Sequence, residues 1–143
     1  MQENTPHPAP PALATCSYQE FTPEMGAAVR TTVGAPRWKL PYPLIGHARL
    51  ITPASSMLGM ERDRYRQVYE QRLADTGVYR ITAELRSLAQ DRQEPLVLLC
   101  FDGLAKRENW CHRTMFSRWW HETTGQEVPE LGAVPPPPPL MLF

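Results

Sequence analysis

Residues 95–116 read PLVLLCFDGLAKRENWCHRTMF. From Leu96 to Leu99 the side chains are apolar without a break, and Asp102 and Gly103 end the run. A strand with one wet face alternates apolar and polar residues. An unbroken run fits a strand covered on both faces, as in a parallel sheet. Asn109 is of a type that caps helices, and Phe116, Trp119 and Trp120 supply an apolar side before Gly125 provides a stop. The stretch therefore predicts a strand over 95–101, a connecting loop, and a last helix that places Trp110, Cys111 and His112 in its first turn.

Working outward, ALATCSY (12–18) and the β-branched AAVRTTV (27–33) read as strands, the second stopped by Gly34 and Pro36. The Pro- and aromatic-rich segment that follows predicts an ordered loop with a short strand at Ala48 to Ile51. A helix capped by Ser55 or Ser56 and ended by Gly77 carries Leu58, Tyr65, Val68, Tyr69 and Leu73 on one side. A further helix follows from Val78, with Ile81, Leu85 and Leu88 at helical spacing. QEVPEL near the end suits a short edge strand, where Pro129 is tolerated. This order predicts an α/β fold: a small three-layer sandwich with a mostly parallel, Rossmann-like sheet. Ligands of such sheets bind beyond the carboxyl ends of the strands. That rule puts Cys100, Asp102 and the loop to Arg113 on the functional edge.

A chain of 143 residues holds one modest core. Prolines crowd both ends, so the reading is a Pro-rich tail over 1–14, one domain over 15–131 and a second Pro-rich tail over 132–143. The terminal VPPPPPLMLF favours polyproline II and offers a docking segment for a protein partner, in competition with a plain solvated tail. Net charge is zero, which argues against bulk nucleic-acid binding and against attraction to an anionic membrane surface. Lys39 and Lys106 apart, all 15 cationic residues are Arg, the residue suited to bidentate contact with phosphate or carboxylate. Cys16, Cys100 and Cys111 are an odd count with no secretory leader ahead of them, which predicts free thiols in a reducing cytoplasm. No apolar run approaches the roughly 18 residues of a membrane span.

Cys111 in a first helical turn would sit among free N–H groups at the positive end of the dipole, which favours its thiolate. It then reads as a nucleophile, against the alternative of a small packed side chain. His112 suits a proton shuttle or a plain surface histidine. Arg113 is the best anion ligand of the three. Cys100 reads as core, and Asp102 as a catalytic carboxylate or a turn residue beside Gly103. Two known motifs fit poorly. A tyrosine-phosphatase loop would need Arg where Lys106 stands. A zinc set of Cys100, Asp102, Cys111 and His112 lacks paired short-spaced cysteines, so no metal and no cofactor are expected.

The run VLLCFDGLAKRENWCHRTMFSRWW resembles the signature of the family called domain of unknown function 488: an apolar strand ending Leu-Leu-Cys, a short loop, then Cys-His-Arg at a helix start. VGAPRWK, LITPASSML, the helix around Tyr65 and Tyr69, and VPEL are similar to one branch of it. The resemblance spans roughly residues 14–131. Asp102 stands where the family usually has Glu. The resemblance implies an α/β fold with the cysteine motif at the sheet's carboxyl edge, and it brings no reaction with it. It draws attention to Arg37, inside the matching Gly-x-Pro-x-Trp segment, and to Arg30. If both meet Arg113, three guanidinium groups converge on a phosphorylated or nucleotide-like ligand; Arg37 stacked on Trp38 or paired on the surface is the alternative. Trp38 and Trp110 are candidate walls for a base.

The function expected from these residues is an enzyme acting on an anionic or nucleotide-like small molecule. Cys111, His112 and Asp102 would be catalytic, with Arg113, Arg37, Arg30, Trp38 and Cys100 binding the ligand. The alternative is a ligand- or protein-binding module whose cysteines are structural.

Overall fold

The computed structural model describes residues 9–104 and 110–134. In chain order the elements are β1 (Leu13–Ser17), β2 (Ala27–Arg30), β3 (Gly46–His47), α1 (Arg62–Thr76), α2 (Val78–Ala89), β4 (Leu96–Cys100) and α3 (His112–Thr124). The sheet is parallel throughout, in the order β1-β4-β2-β3. β4 is interior, and every one of its side chains is buried, which is what its unbroken apolar run demands. Thr15 also bridges Glu130 in parallel, so the QEVPEL segment lies along the free edge of β1 with Pro129 offering only its carbonyl.

Successive strand residues point to opposite faces. Leu96 and Leu98 of β4, with Ala27 and Val29 of β2, pack against Tyr65, Tyr69 and Leu73 of α1, Ile81 and Leu85 of α2, and Phe116 and Trp120 of α3. Val97, Leu99, Ala28, Ala14 and Cys16 face the other way, against Tyr18, Phe21 and Tyr42. The small parallel α/β sandwich predicted from sequence is present. Its third layer is irregular chain, because the segments after β1 and β2 are too short and too rich in Pro to form helices.

Several local expectations shift. The serine at 55 opens only a 3-10 turn, Ser55–Met57; Gly59, at φ +95°, redirects the chain, and α1 starts at Arg62 with Glu61 accepting the Arg64 N–H at 2.7 Å. Leu58 consequently falls outside the helix and is 60% exposed. The short third strand is Gly46–His47 and not Ala48–Ile51, since Thr52 N–H folds back on the Ala48 carbonyl. β2 stops at Arg30 and not at Val33, because the Arg30 guanidinium binds the Thr32 and Val33 carbonyls and turns the chain out of the ladder. β1 begins inside the assigned N-terminal tail, and the Ala9 and Pro11 carbonyls accept from Arg86 and Gln126. Residues 1–8 and 135–143 of the assigned tails lie outside the described residues, and α3 is capped by Cys111 and not by the expected Asn109. Gly125 closes α3 in the left-handed region at φ +81° as its sequence position implies. No helix among the described residues is long and apolar enough to cross a membrane.

Candidate functional site

Strand parity builds the site. Leu96, Leu98 and Cys100 share the helix-covered face of β4, and Ala27, Val29 and Thr31 share that of β2 and its extension. Cys100 and Thr31 are therefore presented at the carboxyl edge, where α3 begins. α3 starts one residue beyond Cys111, which is its N-cap with extended backbone (φ −152°, ψ 152°), and Thr114 N–H and Oγ1 both bind the Cys111 carbonyl. Cys111 was expected inside the first turn. As the cap it is turned back towards the strand, and its Sγ is joined to that of Cys100 in a disulfide, with Cα atoms 7.3 Å apart.

His112 is buried, with Nε2 2.9 Å from Thr31 Oγ1. Thr31 Oγ1 also lies 2.8 Å from the Leu99 carbonyl, which only accepts. The single hydroxyl hydrogen goes to that carbonyl, so Thr31 receives the Nε2–H, and His112 Nδ1 is left with its lone pair. That lone pair lies 3.8 Å from Cys111 Sγ. Burial pushes the His112 pKa down to about 4, which keeps the ring neutral. The edge of the ring also packs against Tyr69, centroids 5.8 Å apart, which fixes its plane.

Arg113 stands on the other side of the same turn. Its side chain has 0% exposure, with Nε 2.9 Å from Glu130 Oε1 and Nη2 3.2 Å from Oε2. Nη1 donates to Cys100 Sγ at 2.9 Å and to the Asp102 carbonyl at 2.6 Å. The two sulfurs thus have different neighbours: an imidazole lone pair and a helix amino end at Cys111, a guanidinium at Cys100. Both settings stabilise negative charge that develops on sulfur.

The pair opens on a cavity of about 610 Å³ lined by Cys100, Cys111 and His112 together with Tyr65, Phe101 and Trp110. Trp110 meets Tyr65 edge-on at 5.0 Å. Among the described lining residues Asp102 carries the only formal charge. Cys100, Cys111 and His112 offer ligand atoms all within 4.8 Å of one another.

The residues predicted for the site divide cleanly. Cys100, Cys111, His112 and Asp102 come together at the cavity. Arg113 does not line it: the carboxylate it attracts is the chain's own Glu130, brought alongside by the edge pairing with β1. Arg30 is spent on the loop after its own strand, Arg37 is exposed, and neither borders the cavity. The expected convergence of three guanidinium groups is therefore absent. Trp38, 43% exposed, packs on Tyr18 and Phe101 outside the lining. The expectation of free thiols holds for Cys16 alone. Burial and the nearby Glu130 raise its pKa to about 11. Sequence reasoning missed Thr31 and Glu130. The parity of AAVRT marked the first; nothing short of the fold marked the second.

Comparison with protein-family models, with curated proteins and with solved structures finds no match to this chain, so the resemblance rests on the motif residues themselves.

Proposed function

We propose that the chain performs thiol chemistry on a small molecule held in the cavity, with Cys111 as attacking sulfur and Cys100 as resolving sulfur. One observation carries the reading: a Cys100–Cys111 disulfide, the oxidised form of the pair, beside an imidazole lone pair at the edge of a cavity large enough for a ligand. Cys111 attacks a disulfide-like bond of the ligand and displaces a leaving group, its proton handed on at Nδ1 of His112 without resting there. The departing sulfur takes up the proton. Cys100 then attacks the mixed disulfide at Cys111, releases the second half of the ligand as a thiol, and leaves Cys100 and Cys111 joined. Arg113 donates to Cys100 Sγ and stabilises the charge that develops there as its proton passes to the released thiol. Tyr65, Phe101 and Trp110 suit a flat ring, as in a nucleotide-like ligand, and an anionic group finds its complement at the amino end of α3 rather than at an arginine cluster. This chemistry suits a reducing, cytoplasmic setting.

The test is stoichiometric. Reduced protein is mixed with a small aromatic disulfide whose freed thiolate is coloured. Wild type should release two thiolates per chain and retain no adduct. Cys100→Ser should release one and retain an adduct on Cys111 by mass. Equal release from wild type and Cys100→Ser would overturn the reading. A second reading, a binding pocket braced by a structural Cys100–Cys111 disulfide, is favoured by the bond between the sulfurs. It predicts no release after mild reduction.

A further inference from the structure

The geometry points to the reduced Cys100–Cys111–His112 cluster as a binding site for one thiophilic divalent cation of the zinc class, with its remaining coordination position open to the cavity. The inference rests on the reading above that this cluster is the working centre, and it adds a second state of that centre. Its donor set is two sulfurs and one imidazole nitrogen, the chemistry that borderline-soft cations prefer. All three donor atoms lie within 4.8 Å of one another, close enough to share one ion. The protonation is already correct. Thr31 takes the Nε2–H, so the lone pair of His112 Nδ1 is on the sulfur side. An outer hydrogen bond that fixes the tautomer in this way is what metal-bound histidines require. Arg113 donates to Cys100 Sγ, the outer contact a thiolate ligand needs.

Spacing along the chain hides this site. The adjacent Cys111 and His112 cannot both point inward from one regular helix. They do so here because Cys111 is the extended cap and His112 the first helical residue. On binding, the cation displaces one proton from each thiol and none from the neutral imidazole. The two thiolates balance its charge, and two protons enter solvent. A loaded site has no free thiolate, so the cation holds the sulfurs out of exchange chemistry until it leaves.

The test uses cobalt as a spectroscopic probe on the reduced full-length chain. One Co²⁺ should bind per chain with thiolate charge-transfer absorbance and visible bands of tetrahedral type, and Zn²⁺ should displace it. Cys100→Ser and Cys111→Ser should abolish the charge-transfer intensity or halve it. Thr31→Val, which leaves all three ligands in place, should weaken affinity by about 10–100-fold. Cys16→Ala should change nothing, and far-ultraviolet circular dichroism checks that each variant is folded. Absence of thiolate–cobalt absorbance in the folded reduced protein would overturn the site, as would equal binding by wild type and Cys100→Ser. The two readings fail separately. Two coloured thiolates released without any cobalt binding sinks the cation site alone; cobalt bound by a chain whose metal-free form releases none sinks the exchange reading alone.

Discussion

Cys16 and Cys100 lie on neighbouring strands, one register step apart: Cys16 pairs with Leu99, and Ser17 with Cys100. Both are buried. The single step places Cys16 on the loop-covered face among Tyr18, Phe21 and Tyr42, with a thiol pushed up to about 11. It places Cys100 on the helix-covered face against Cys111 and Arg113. Burial therefore does not separate the free cysteine from the paired one. The face does, because only one face receives the start of a helix.

The largest expected effect comes from removing what holds the second environment together. Arg113→Ala leaves the Glu130 carboxylate facing a hole and strips Cys100 of its donor. Loss of a buried partner of this kind costs about 3–5 kcal/mol, measured as a shift in the urea unfolding midpoint. Arg113→Lys should recover little, since one ammonium cannot span Glu130, Cys100 and the Asp102 carbonyl together. The same midpoint should hardly move on Arg37→Ala, because that side chain is exposed.

This arginine also shows what the sequence could and could not tell. The unbroken Leu96–Leu99 run was enough to predict a buried parallel strand, and the glycine after α3 was enough to end that helix. Cys100, Cys111 and His112 were legible as a cluster because all three flank one loop. The role of Arg113 was not. Its partner lies 17 residues away on a segment that joins β1 by a single bridge, and no local pattern announces so long-range a contact. Thr31 was hidden differently. It lies one residue beyond β2 with the right parity, yet its importance appears only when α3 sets His112 opposite it.

A smaller effect concerns acid. His112 is buried neutral, with a pKa lowered to about 4 against an ordinary 6.5. The unfolded chain binds this proton first as pH falls. The contribution is therefore whole above the ordinary value and is lost as pH drops from about 6.5 towards 4, by up to about 3 kcal/mol. Unfolding midpoints taken in chelator across that window should fall for wild type and fall less steeply for His112→Gln. Parallel slopes would show that the ring is already solvated.

The smallest effect falls on the other side of the comparison. Cys16→Ala removes one buried sulfur from the loop-covered face. It should cost about 1 kcal/mol through lost packing and leave the reactivity of the other two cysteines as it was. A change in their labelling would mean that the two faces of the sheet communicate.

Alkylation of the folded, reduced, metal-free protein at neutral pH, followed cysteine by cysteine through peptide mass, reads the difference between the faces directly. Cys111 should label first, at least tenfold faster than Cys16, with Cys16 reacting only on unfolding. Equal, slow labelling of Cys111 and Cys16 would contradict the claim that the start of α3 makes a working thiol at the carboxyl edge of the sheet.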